Sequence, residues 1–273
     1  MKQVLFFISL SLTLLLFFAC KESDNIKLAS LNYADAYYLS SDTTQGALVV
    51  SIQVELPAGK MKADSVIRAF LVDVIFGGSY TGLSDADIVS AFTSDLKQDY
   101  RANNEPLLSE LEDEEHSYSL NNEHFIEGFP LLNDKNIFSY GVNHYAYMGG
   151  AHGIDMRSYY SFDLKTLKPV TEQNLFADGC EAELIELLKT RIIEESEFIH
   201  SMEDLKNSDY YVDSIKPNGN FYISDEAITY VFNPYEIAPY YMGHTEISLP
   251  YSRIAHLLKL ENPVAYLAGE TKK

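Results

Sequence analysis

Residues 136–149, NIFSYGVNHYAYMG, and residues 155–164, DMRSYYSFDL, are separated only by GAHGI. Both stretches are rich in aromatic and β-branched residues, the signature of strands packed face to face across a sheet. Gly149 and Gly150 sit back to back at the join. A tight reversal needs positive φ, and glycine supplies it without a Cβ clash. This pair predicts an antiparallel meander with one face on the core and one open to contact. EHSYSLNNEHFIEGFPLL (115–132) reads as the preceding strand, turned at Asn133, Asp134 and Lys135.

Other periodicities fill in around this meander. GALVVSIQVELP (46–57) is a strand ended by Pro57. Val66, Ile67, Phe70, Leu71, Val74 and Ile75 recur at helical spacing after Asp64, a candidate cap. Ser84 with Asp87 resembles a capping box ahead of Ile88, Val89, Phe92, Leu96 and Tyr100. SFDLKTLKPVTEQNLF predicts a strand, a turn and a short helix. A helix with a Glu-rich solvated face follows from Cys180 to about Phe198, with Asp178 as its cap. Phe221–Ile223, Ala227–Phe232 and Glu246–Leu249 read as strands, and Ser252–Leu258 as a closing helix. The expected fold is α+β, with antiparallel sheets, packed helices and two intimately packed subdomains. The boundaries are 45–165 and 166–262, with a tail at 263–273.

The chain opens MKQVLFFISLSLTLLLFFAC. A lysine, a short apolar run and a small residue before cysteine make the pattern of a lipoprotein signal, not a spanning helix. Residues 1–19 are then the cleaved signal, Cys20 the lipidated residue and 20–44 a tether. This places the protein in the cell envelope on a bacterial membrane, the outer membrane by preference, facing periplasm or surface. Glu22 and Asp24 resemble the surface-export signals of Bacteroidetes lipoproteins. With Cys20 acylated, Cys180 has no disulfide partner and reads as a small apolar residue.

Forty acidic against 20 basic residues give a net charge of −20. Such a surface repels nucleic acid and anionic lipid and either serves solubility alone, the plainer reading, or favours a cationic partner. No G-x-S-x-G elbow, H-E-x-x-H or P-loop occurs. The alternatives are a metal-dependent hydrolase built from His144, His152, Asp155 and His244, and a structural lipoprotein with no small ligand. Against the hydrolase, His144 lies within a strand and His152 past its turn, so their rings need not meet. The preferred reading has no catalytic residue, metal or cofactor, and treats the protein as a binding module. Its ligand-binding candidates are Tyr147, Gly149, Gly150 and His152 on one loop, and Tyr235, Glu236 and Tyr240 on NPYEIAPYYMG (233–243). Pro234 and Pro239 stiffen the second loop, so little entropy is lost when it binds.

YMGGAHG (147–153), the Phe-Asp-Leu strand, the NLF helix, the acidic helix and NFYISDEAITYVFNPYEIAPYYMG form one series. It resembles the RsiV-like extracytoplasmic domain, whose motifs are an aromatic-T-G-G-A-H element and N-P-Y-E-I-A-P-Y. The second is matched in full from Asn233 to Tyr240, and the first departs at Met148, where Thr is common. The resemblance spans about residues 45–258. It implies an α+β fold split near residue 165 and an envelope role without intrinsic catalysis. Relatives include lysozyme-sensing anti-sigma factors and accessory modules of peptidoglycan deacetylases. Only MKQ precedes the apolar run, so no anti-sigma segment is expected, and no deacetylase domain follows. The partner expected is a cationic protein such as lysozyme, or a peptidoglycan glycan.

Overall fold

A computed structural model describes residues 25–108 and 120–269. The signal segment and Cys20 lie outside the described residues. Among the described residues no helix is long and apolar enough to cross a membrane.

The first unit is a six-stranded sheet of β1 (Leu28–Tyr38), β2 (Ala47–Pro57), β3 (Asn122–Asn133), β4 (Ile137–Met148), β5 (Ile154–Asp163) and β6 (Lys168–Pro169), in that order. Strands β3, β4 and β5 form the expected antiparallel meander. Two expectations are corrected. The tether is not free of structure, because Leu28–Tyr38 pairs along all of β2 as an edge strand. Its core-side residues Leu31 and Tyr33 pack inward, while the intervening residues stay exposed. The sheet is also not wholly antiparallel, since β2 and β3 run parallel. Helices α1 (Lys62–Phe76) and α2 (Asp85–Leu108) lie between them in sequence. A parallel pair needs a crossover of that size, because its strands cannot be joined by a tight turn.

On β2, Leu48, Val50, Ile52, Val54 and Leu56 are buried, so alternate residues build one core face. Ile67, Leu71 and Ile75 of α1 and Ile88 and Tyr100 of α2 close over it, joined by Phe138, Tyr140 and Phe162. Burying each large aliphatic side chain is worth about 1.5–3 kcal/mol. Asp64 lies three residues inside the end of α1 rather than at its cap. There it accepts from the backbone N–H of Met61 (2.8 Å) and of Lys27 (3.2 Å), tying the chain ahead of β1 to the helix. Ser84 accepts from Asp87 N–H at 3.3 Å, as the capping pattern predicts.

The second unit is a three-stranded antiparallel sheet of β7 (Phe221–Ile223), β8 (Ala227–Phe232) and β9 (Thr245–Pro250). Around it pack α3 (Glu172–Leu175), α4 (Glu181–Glu195), α5 (Met202–Lys206), α6 (Tyr251–Ile254) and α7 (Ala265–Ala268). Leu184, Leu188 and Ile192 of α4 meet Ile228, Tyr230, Phe232, Ile247 and Leu249 in a second core. Cys180, not Asp178, stands at the N-terminal cap of α4. Its free thiol packs half-buried against the second core, and burial pushes its pKa up. The closing helix is shorter than expected, ending at Ile254 before a 3-10 turn at Ala255–Leu257. Ile137 of β4 belongs to the second core while its neighbour Phe138 belongs to the first. The central sheet therefore has helices over one face and the second unit against part of the other.

Candidate functional site

The turn between β4 and β5 is closed by Gly149 and Gly150, at φ 83° and 99°. Tyr147 donates its hydroxyl hydrogen to the Gly150 carbonyl at 3.0 Å, pinning the turn. Gly153 has a different role: a Cβ there would sit 2.5 Å from the Tyr145 ring. The chain passes under that ring, itself stacked on Phe125 with centroids 5.6 Å apart.

The Pro-stiffened loop arrives from the other unit. Tyr235 holds φ 73°, and the loop is closed by Tyr235 N–H to Ala238 O and Glu236 N–H to Asn233 O, each 3.0 Å. Residues Tyr240–Met242 form one 3-10 turn. This places Tyr240 flat on His152, with ring centres 4.0 Å apart and planes at 22°. The Tyr240 hydroxyl donates to Gly153 O at 3.0 Å. His152 Nδ1 lies 2.9 Å from the same carbonyl, so Nδ1 carries the proton and Nε2 is left as an acceptor. The Tyr235 hydroxyl meets Nε2 at 3.5 Å, and the Tyr235 and Tyr240 rings are 5.6 Å apart.

Of the seven candidates, His152, Tyr235 and Tyr240 come together, while Tyr147, Gly149 and Gly150 form the turn ahead of His152 and Glu236 meets Asn218. Tyr147 is spent on closing its own turn, and Tyr240 and His152 on the contacts that hold the two loops together. Glu236 is engaged with the chain ahead of β7, accepting from Asn218 Nδ2 at 3.0 Å. Tyr235 is 58% exposed, Tyr241 72% and Met148 65%. Tyr235 and Tyr241 form a phenolic rim beside the braced His152 and Tyr240, whereas Met148 and Ile154 alternate onto the sheet face that carries His144. Tyr241 adds a hydrogen bond to Asp209, whose carboxylate raises the phenol pKa. Asp155, Asp209 and Glu236 give the rim an acidic setting.

The four residues of the metal alternative do not gather. His144 lines a cavity with Val74 and Ile75, on the helix side of the sheet. Asp155 pairs with Tyr145 and so projects from the opposite face. His244 Nε2 is 3.2 Å from Asp155 O, and His152 is committed to Gly153 O. Among the described residues no three His, Cys, Asp or Glu side chains come close enough to hold a metal ion.

Sequence reading missed the residues that hold the site in place. Asn233 Oδ1 accepts from Arg157 N–H at 2.7 Å, and Asn233 Nδ2 donates to Arg157 O at 3.1 Å. Asn220 Oδ1 accepts from Tyr159 N–H at 2.9 Å, and its Nδ2 donates to Arg157 O at 2.9 Å. Two amide side chains thus continue the line of β6 along the outer edge of β5. His244 on Asp155 O and Tyr240 on Gly153 O extend the row. The available signal was asparagine at the ends of strands in the second unit, a weak one without the partner edge.

Residues 173–252 match the model of DUF3298, a protein family of unknown function. The chain is similar to the crystal structure of a DUF3298 member from Bacteroides fragilis NCTC 9343. Identity is 27% over 90% of this chain and 98% of that one, with a TM-score of 0.81. It also resembles a DUF3298 protein from Pseudomonas aeruginosa PAO1, at 14% identity and a TM-score of 0.58, covering 88% of this chain and 98% of that one. At that identity the likeness is one of fold. No curated protein matches. Residues 173–252 thus match the DUF3298 model, and the chain is similar in fold to two solved DUF3298 proteins.

Proposed function

We propose that this protein is a lipid-anchored binding module of the cell envelope, without catalysis of its own, that recognises a cationic protein such as lysozyme. The observation that carries the reading is the His152–Tyr240 stack, 4.0 Å between ring centres, which locks two loops from different units into one rim. A rim fixed before binding spends little entropy on association. Tyrosine suits such a surface, offering an apolar ring and a polar tip with few rotamers to freeze. The net charge of −20 attracts a cationic partner over a Debye length of roughly 8–10 Å at moderate salt. The resemblance to the RsiV-like domain points the same way, and the signal pattern ending at Cys20 supports the anchor.

Titration with lysozyme at low and high salt tests the reading. Binding is expected at low salt, weakening as salt rises, and Tyr235→Ala should cut affinity by about tenfold, near 1.4 kcal/mol. Absence of binding at low salt sinks the protein-partner version. Retention on purified peptidoglycan with no lysozyme binding would assign the rim to a glycan instead.

A further inference from the structure

On the other side of the sheet, away from the tyrosine rim, three side chains form a row across three strands. Ile126 of β3 pairs with His144 of β4, and His124 pairs with Ala146, so the two histidines are diagonal neighbours. His144 pairs directly with Met156 of β5. Alternate residues share a face, and Ile126 and Val142 mark this one as the helix side. His144 and Met156 line a cavity of about 100 Å³ with Val74, Ile75, Ile126, Val142, Ser158 and Tyr160.

Two polar atoms here have no explanation within the fold. His124 Nδ1 and His144 Nε2 are both buried, and neither has a hydrogen-bond partner. Buried polar nitrogens are normally satisfied, and leaving one bare costs about 1–3 kcal/mol. The rings are 6.2 Å apart between centres. A ring nitrogen binds a metal at about 2.0–2.1 Å, which puts the metal roughly 3.2 Å from the ring centre. Two rings bridging one ion at a wide angle are then about 6 Å apart, as these are. Burial favours the neutral, ligating form of both rings.

The geometry points to a site for a single soft monovalent cation of the Cu(I) class, held by His124, His144 and the Met156 thioether. Imidazole with thioether is a soft donor set. All three ligands are uncharged, so the site would carry only the charge of the ion. Burying charge among Val74, Ile75, Ile126 and Val142 costs steeply more for a dication, which disfavours Zn(II). Met156 is partly exposed, giving the ion a way in.

Ag(I), which matches Cu(I) in charge and softness and does not change oxidation state, is the probe. The full chain carrying Cys20→Ala and Cys180→Ala, in detergent, removes competing thiols. One equivalent should bind, shifting the Met156 methyl and both histidine ring resonances in the NMR spectrum. Met156→Leu, which conserves volume, and His144→Gln should each weaken binding at least tenfold. No shift of the Met156 methyl at one equivalent overturns the proposal, whether or not His144→Gln folds. So does affinity unchanged by Met156→Leu, or Zn(II) bound more tightly than Ag(I).

Discussion

Tyr235 is a residue in a conformation that glycine would accept more readily. Its φ of 73° lies in the left-handed region, where an L side chain costs on the order of 1 kcal/mol or more. Asn233 and Ala238 fasten the backbone on either side, so the loop imposes the strain. A side chain more than half exposed returns little packing energy for it. Tyr235→Gly should therefore leave the melting temperature unchanged or raise it slightly, while weakening the proposed lysozyme binding by about tenfold, as expected of Tyr235→Ala. A thermal melt beside a binding titration checks this. A loss near the 3 kcal/mol typical of a truncated core aromatic would make Tyr235 a packing residue and not a displayed one. Proline and glycine made the two loops visible in the sequence, because those residues act on their own backbone. What the side chains do there was not visible. Tyr147 and Glu236 are tied up because their partners, Gly150 O and Asn218, are set by how the chain folds around them.

At the scale of elements, the outer edge of β5 is where the two units join. An open edge presents unpaired N–H and C=O groups to any passing strand. Here Asn220 and Asn233 occupy the positions that a longer β6 would take. Asn220→Ala with Asn233→Ala should cost about 1–3 kcal/mol for each buried backbone group left bare. Urea denaturation measures that loss. The freed edge should also drive self-association, seen by light scattering as concentration rises. A double variant that stays monomeric at wild-type stability would mean the edge is covered by other means. Elements with strong periodicity were legible: the meander, α1, α2 and β8 all fall where the pattern puts them. Strand β1 was not, because Asp35 and a polar-facing side break its alternation, and an edge strand buries only one side. The parallel pairing of β2 with β3 was hidden for another reason. Strand direction depends on what the intervening chain does, and neither strand records it in its own residues.

Over the whole molecule, acid acts on two sets of groups in two separate windows. Hydrogen bonding from Tyr33 holds the Asp35 carboxyl below its usual range, and Arg253 with Arg191 does the same for Glu194. A lowered carboxylate pKa gives stability that is lost only as pH falls through about 4 and below. The buried histidines act earlier. Burial lowers the pKa of His124 and His144, with His144 adding to the effect on His124. Their folded pKa values lie below the unfolded value of about 6.5, so the unfolded chain binds more protons between the two. The stability the neutral rings contribute is complete above about pH 6.5 and drains away as pH drops beneath it. The slope is at most about 1.4 kcal/mol per pH unit for each ring. Ile75, Ile126 and Val142 beside His144 are buried and apolar, and Ser158 and Tyr160, which also line the cavity, carry no charge to offset a new positive one. The melting temperature should therefore fall between pH 6.5 and 5, before the carboxylates titrate. His124→Gln with His144→Gln should flatten that part of the curve and leave the fall below pH 4 intact. Melts across this range decide it, and an equal slope in the double variant would mean the two rings are not what the fold loses to acid.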